Sequence, residues 1–134
     1  MTAYFLSAPA RIFRFDALGA VVSAVSTGLV QPRFYHLLGI PPSVLGALAG
    51  LAVACLIYDL ICLAGDPTAA TRPKLLLLLC ANAAYCLVAP LLVWRHRETV
   101  TPLGWAVTAA EVLVVLVVVG YEFYLYRCLK SPTG

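Results

Sequence analysis

Charged side chains are scarce in this chain. Asp, Glu, Lys and Arg make up 11% of its 134 residues, and only six residues are acidic. Soluble domains carry about 25% charged residues. Hydrophobic residues reach 63% and the mean hydropathy is +0.96, so a chain of this length cannot bury its apolar surface in its own core. We therefore infer that membrane lipid is its solvent. The nine basic residues form no patch, so we expect no nucleic-acid partner.

Motifs that carry catalysis or bind cofactors are also missing. The five cysteines include no Cys-x-x-Cys pair, and Cys55 and Cys62 lie two helical turns apart, about 10 Å, too far for a disulfide. His36 and His96 fall in predicted loops without zinc-ligand spacing. There is no phosphate-binding glycine loop and no nucleophile motif. We expect no catalytic residues, no metal and no cofactor. A lipid-modifying enzyme therefore ranks last among the functions considered.

Long apolar runs predict four membrane-spanning helices, because about 20 apolar residues cross the ~30 Å hydrocarbon layer. The predicted spans are roughly 15–31, 43–64, 75–94 and 102–126, bounded by prolines and basic residues. The connections of about 6–12 residues leave no room for a soluble domain. We expect one all-α domain over 1–134, a compact antiparallel four-helix bundle. Segment 1–14 lacks the apolar run of a signal peptide and is expected to be interfacial or cytoplasmic, and 127–134 a short cytoplasmic tail.

Basic residues give the expected orientation. With four spans, both termini lie on the same side of the membrane. The basic residues on that side are Arg11, Arg14, Arg72, Lys74, Arg127 and Lys130, and those on the other side are Arg33, Arg95 and Arg97. Cytoplasmic loops carry the excess of Lys and Arg. The sequence therefore predicts both termini in the cytoplasm.

Four of the six acids fall inside the predicted spans: Asp16, Asp59, Glu111 and Glu122. A charge at membrane depth costs roughly 2.5–3.5 kcal/mol on insertion scales, so such acids are candidates for functional sites. Counting from the span ends places Asp16, Asp59 and Glu122 near one level on the cytoplasmic side. Glu111 and Asn82 lie deeper, each about 10–12 Å from the nearer helix end.

Three of these acids also have ordinary structural explanations. An acid in the first turn of a helix, where we expect Asp16, complements the helix dipole. Glu122 can extend its carboxylate towards the membrane surface among tyrosines. The candidate ion pairs are Asp16 with Arg14 or Arg11, Asp59 with Lys74 or Arg14, and Glu122 with Arg127.

Glu111 has apolar neighbours for about two turns on each side and is the strongest functional candidate. We expect Asn82 to be its partner, with Tyr85 on the same wall of a pocket that accepts a proton, a cation or a small amphipathic molecule. The alternative is a protonated Glu111 that holds helices together through Asn82 or Ser23. The candidate binding residues are Glu111, Asn82, Tyr85, Asp59, Glu122 and Asp16.

Small residues recur along one face of the second span, at Gly46, Gly50 and Ala54. Such a seam lets two helices approach closely. It is therefore a candidate interface for a homo-oligomer, or a contact used inside the monomer.

The chain also resembles a known group of proteins. The segments that carry the likeness are 14–20, Tyr58-Asp59, 81–86 and Glu111 in an apolar fourth span. They resemble small, uncharacterised four-span bacterial inner-membrane proteins over about residues 11–126. The resemblance implies a bacterial inner membrane and no assigned activity.

Two functions follow from these patterns. The first is a membrane bundle that binds or translocates a proton, a cation or a small amphipathic ligand through its acids. The second is a membrane interaction or assembly protein that transports nothing and whose buried polar residues are structural.

Overall fold

The computed structural model describes residues 10–65 and 71–129, and within these two ranges the chain is helical without any strand. The α-helices are α1 (Ala10–Val25), α2 (Tyr35–Leu38), α3 (Pro42–Ala64), α4 (Thr71–Arg95) and α5 (Pro102–Leu129). A π-helical turn (Ser26–Val30) and a 3-10 turn (Gln31–Phe34) join α1 to α2.

Four helical stretches are long and apolar enough to cross a membrane: Arg11–Leu38, Pro42–Ala64, Arg72–Arg95 and Pro102–Leu129. This confirms the predicted all-α, four-helix fold of a multi-pass membrane protein. Residues 10–14 belong to α1, and 127–129 extend α5. The remainder of the two predicted terminal segments, 1–9 and 130–134, and residues 66–70 of the connection after the second span lie outside the described residues.

The first span is longer than predicted, because the helix does not end at Gln31-Pro32. A proline has no N–H, and its ring clashes with the carbonyl four residues earlier in a regular α-helix. Here the chain widens into the π turn, in which the Gln31 N–H bonds the Ser26 carbonyl five residues back. Helical structure then continues to Leu38, and Gly39 ends it at a φ of 68°, in the left-handed region that glycine adopts readily.

The first span is anchored to the last one where α2 ends. The Thr101 N–H donates to the Leu38 carbonyl at 3.0 Å. A Cβ on Gly104 would lie 2.2 Å from that carbonyl oxygen, so the absence of a side chain permits the approach. We call this end of the bundle the loop end. The end that carries Ala10, Ala64, Thr71 and Leu129 is the terminal end.

Aromatic and basic side chains mark both ends. At the loop end, Trp94 and Trp105 meet edge to face at 6.2 Å, with the Arg97 guanidinium 5.3 Å from the Trp94 ring. At the terminal end, Arg72 Nη2 donates to the Tyr126 hydroxyl at 3.1 Å. Such groups are enriched at membrane–water interfaces, so the two ends are placed where the lipid headgroups would lie.

The helices pack as two close pairs, α1 with α3 and α4 with α5, which meet through α3 and α4. In contrast, α1 and α5 make little backbone contact with each other. One apolar core layer lies at the loop end and includes Leu45, Leu48 and Val93, and another lies at the terminal end and includes Phe13 and Leu78. The buried polar residues Asp16, Asp59, Asn82 and Glu122 lie between these two layers.

Candidate functional site

A buried group of three carboxyls and one amide lies inside the bundle, with one residue from each span: Asp16, Asp59, Asn82 and Glu122. We call it the carboxyl cluster. Asn82 Nδ2 donates to Asp16 Oδ1 and to Glu122 Oε1, both at 3.0 Å. The carboxyl of Asp16 lies next to the carboxyls of Asp59 and Glu122. Asp59 and Glu122 are 0% exposed and Asp16 is 7% exposed. The three acids, which the sequence predicts at one level of the membrane, thus lie together in the structure.

The structural explanations for the three acids do not hold in this geometry. Because α1 begins at Ala10, Asp16 lies in its second turn, and no acid occupies the first turn. Glu122 is fully buried and does not extend to the membrane surface. Within residues 10–65 and 71–129, both oxygens of Asp59 and Oε2 of Glu122 accept no hydrogen bond, and Oε1 of Glu122 accepts from Asn82. The candidate pairs of Asp59 with Lys74 or Arg14, and of Glu122 with Arg127, are therefore not hydrogen-bonded in the described part of the chain.

A cavity of ≈ 470 Å³ lies between α1 and α5, where these two helices make little backbone contact. The polar side chains on its wall are Asp16, Ser23, Ser26, Asn82, Tyr85 and Glu111. The cavity therefore contains four of the six candidate binding residues. Asp59 and Glu122 lie behind Asp16 and Asn82, in contact with the wall but not part of it.

The rim of the cavity is apolar and faces outward. Phe15, Leu18 and Val22 of α1 are 45%, 64% and 61% exposed, and Val114 of α5 is 65% exposed. These positions lie within the four apolar helical stretches, whose exposed faces would contact hydrocarbon in a bilayer. The cavity consequently opens sideways, towards the bilayer, rather than at either end of the bundle.

Glu111 lies on the cavity wall with two polar partners from the first span. Ser26 Oγ donates to Glu111 Oε1 at 3.2 Å, and Gln31 Nε2 donates to the same oxygen. Gln31 Nε2 also contacts Ser26 Oγ at 3.1 Å. In a regular α-helix, residues five apart point about 140° away from each other. The π turn brings Ser26 and Gln31 to one face, and so it builds this part of the site.

The expected pairing of Glu111 with Asn82 is wrong. Asn82 bonds the two carboxyls of the cluster instead, while Glu111 lies three turns, or about 16 Å, from Glu122 along α5. Glu111 and Asn82 nonetheless line the same cavity, together with Tyr85. Gln31 is the functional candidate that sequence reasoning missed. Its signal was a polar side chain directly before Pro32, at the end of a predicted membrane span.

All five cysteines lie in the described ranges and are free thiols, and Cys55 lines the cavity. Within residues 10–65 and 71–129, no group of three or more His, Cys, Asp and Glu side chains is arranged to hold a metal ion.

Gly46, Gly50 and Ala54 lie on the exposed face of α3, and a Cβ at either glycine would contact nothing within 4 Å. The small-residue seam is therefore not used inside the described part of the monomer.

Comparison with protein-family models, curated proteins and solved structures yields no match.

Proposed function

We propose that this membrane protein binds a small amphipathic cation in the cavity between α1 and α5, with Glu111 as the anionic contact. The observation that supports this most strongly is a carboxyl group on the wall of an apolar cavity that opens towards lipid. An intramembrane acid facing a cavity is a functional site by default, because membrane insertion makes it costly.

The hydrogen bonds of Glu111 leave it able to bind a ligand. Ser26 and Gln31 both donate to Oε1, so these two contacts orient the carboxyl group while Oε2 remains available to a cationic headgroup. Apolar walls then accommodate the alkyl part of the ligand. The cavity volume of ≈ 470 Å³ suits a small molecule, since ligand pockets typically measure about 300–1,000 Å³.

The same proposal places the protein in a bacterial inner membrane with both termini in the cytoplasm. The described basic residues at the terminal end are Arg11, Arg14, Arg72, Lys74 and Arg127, which supports that orientation. The carboxyl cluster then lies nearer the cytoplasm than Glu111. A cation or a proton that moves between the two acidic positions would be translocated across part of the membrane. A reporter fused to the C-terminus should be cytoplasmic, and a periplasmic reporter would overturn this orientation.

Binding of hexyltrimethylammonium tests the proposal. This probe is a permanent cation with a short apolar tail. The protein is placed in lipid nanodiscs, and binding is measured against empty nanodiscs for the parent, Glu111→Gln and Glu98→Gln. Glutamine keeps an oxygen acceptor for Ser26 and Gln31 but carries no charge. We expect Glu111→Gln to weaken binding at least tenfold, which corresponds to about 1.4 kcal/mol.

Glu98→Gln is the matched control, because Glu98 is an exposed acid in the loop between α4 and α5. It should bind like the parent. Equal affinity of the parent and Glu111→Gln would refute the proposed role of Glu111.

One observation favours the second function, that of a membrane assembly protein. The exposed face of α3 with Gly46, Gly50 and Ala54 is suited to close contact with another helix, including that of a second copy. For this function the polar residues need only hold the helices together. Glu111→Leu would then destabilise the protein while Glu111→Gln would not, and the parent itself would not bind the cation.

A further inference from the structure

The carboxyl cluster has fewer hydrogen-bond donors than its oxygens require. Three carboxyl groups present six oxygens, and an ionised carboxylate can only accept. The Asn82 amide supplies two N–H groups, one to Asp16 and one to Glu122. Both oxygens of Asp59 and the Oε2 atom of Glu122 are buried without a hydrogen-bond partner. Buried polar atoms normally have partners, so these orphaned oxygens need an explanation.

The groups that face the cluster cannot neutralise it. They are Asp16 on α1, Cys55, Tyr58 and Asp59 on α3, Asn82 and Cys86 on α4, and Glu122 on α5. The Tyr58 hydroxyl donates to the Lys74 carbonyl at 2.9 Å and is thus engaged elsewhere. The orphaned oxygens of Asp59 and Glu122 therefore accept no hydrogen bond from a lysine or arginine of the described residues.

Protons on the carboxyls themselves supply the missing donors. A protonated carboxyl has an O–H that can donate to a neighbouring carboxylate. A proton shared between two adjacent carboxyl groups is favourable, because two carboxylates in contact repel each other when both are ionised. Asp59 is fully buried and its carboxyl faces Asp16, so a proton between them would satisfy one oxygen on each. Since no metal-binding arrangement is found in the described ranges, we favour protons over a metal ion.

We propose that the carboxyl cluster is a proton-binding site, and that it releases a proton when a cation occupies the adjoining cavity. Asp16 and Asn82 belong to both the cluster and the cavity wall, which gives the two sites a shared boundary. A positive charge in the cavity favours the carboxylate form of Asp16. The O–H bond in the cluster then breaks, the electron pair stays on the carboxylate and the proton passes to water. The coupling rests on the proposed cation binding, whereas the proton site does not.

Infrared difference spectroscopy tests the proton site without any ligand. The full chain in nanodiscs is titrated with acid and base, and the C=O stretch of protonated carboxyl groups is followed. We expect the parent and Glu98→Gln to show this band at neutral pH, and Asp59→Asn to show a clearly smaller one. Absence of the band in the parent at neutral pH overturns the proton site and leaves the cation proposal intact. Should Asp59→Asn fail to fold, Glu122→Gln provides the same comparison.

Proton release tests the coupling. Hexyltrimethylammonium carries no exchangeable proton, so any proton that appears in a weakly buffered dye solution comes from the protein. We expect a proton to be released for each cation bound by the parent and by Glu98→Gln, and little release by Asp59→Asn. Binding without release overturns the coupling. An infrared band with no cation binding refutes the cation proposal and the coupling but supports the proton site. Loss of the band on adding sodium chloride at constant pH would show a sodium site instead and overturn the proposal.

Discussion

Replacing Asn82 by alanine should destabilise the bundle by a predictable amount. Asn82 is 8% exposed and donates two hydrogen bonds of 3.0 Å across the helix interfaces. Interhelical hydrogen bonds within membranes contribute about 0.6 kcal/mol each on average, with a maximum near 1.7 kcal/mol. Asn82→Ala should therefore lower the free energy of unfolding by about 1–3 kcal/mol, because it also leaves two buried carboxyls without a donor.

The assay is reversible unfolding in mixed micelles, with the fraction of denaturing detergent as the variable. Cys80→Ala is the matched control, since Cys80 is an exposed side chain on the same helix and its loss should change the free energy of unfolding by less than about 0.5 kcal/mol. A double-mutant cycle with Glu122→Leu isolates one of the two bonds. We expect a coupling energy of about 0.6 kcal/mol between Asn82 and Glu122. Strict additivity, or equal stability of Asn82→Ala and the parent, would refute the hydrogen-bonded cluster.

Three further predictions concern the cavity, the π turn and the exposed seam. Gly19 lines the cavity and a Cβ there contacts nothing within 4 Å, so Gly19→Leu should fill the cavity and abolish binding of hexyltrimethylammonium without loss of stability. Gly120→Leu, at an equally open glycine that does not line the cavity, should bind normally, and equal binding by both variants would argue against this cavity. Pro32→Ala should allow a regular α-helix, which separates Gln31 from Ser26, and we expect a rise in stability with several-fold weaker cation binding by calorimetry. Unchanged affinity would show that the π turn has no role in the site. If the protein is an oligomer, Gly50→Leu should shift it towards the monomer in analytical ultracentrifugation while Gly120→Leu does not, and a shift in neither would exclude the seam as an interface.

Counting residues from span ends is sufficient to group Asp16, Asp59 and Glu122, because a helix rises a constant 1.5 Å per residue. The same counting misplaced Asn82. Helix α4 begins at Thr71 rather than at 75 and α5 ends at Leu129 rather than at 126, so depths counted from the predicted span ends are in error by about 4.5–6 Å. Small errors in helix ends therefore change which polar residues meet.

The Gln31–Glu111 contact depends on a local departure from α-helical geometry that composition does not reveal. Pro32 is normally a helix breaker, and the sequence predicts the end of the first span there. Within a membrane, however, every backbone polar group must be satisfied, so a widened turn that continues the helix is favoured over an unpaired end. The helix continues through the π turn and carries Gln31 to the cavity.

The cavity itself follows from packing and not from any single segment. Each span has a small or polar stripe in the sequence, which is compatible with a fully closed bundle. The structure instead pairs α1 with α3 and α4 with α5, and leaves a gap between α1 and α5. It also leaves the seam of Gly46 and Gly50 exposed, a choice between two options that the sequence left open.

Photoaffinity labelling tests the central claim most directly, because it locates the ligand. An alkyl quaternary ammonium that carries a diazirine on its tail is bound to the protein in nanodiscs, irradiated, and its adducts are mapped by mass spectrometry. The proposed site predicts adducts on cavity residues such as Leu18, Val22 and Val118, competed by hexyltrimethylammonium and lost in Gly19→Leu. Adducts on the outward face of α3, at Val53 and Ile57, that neither competitor nor variant removes would contradict it.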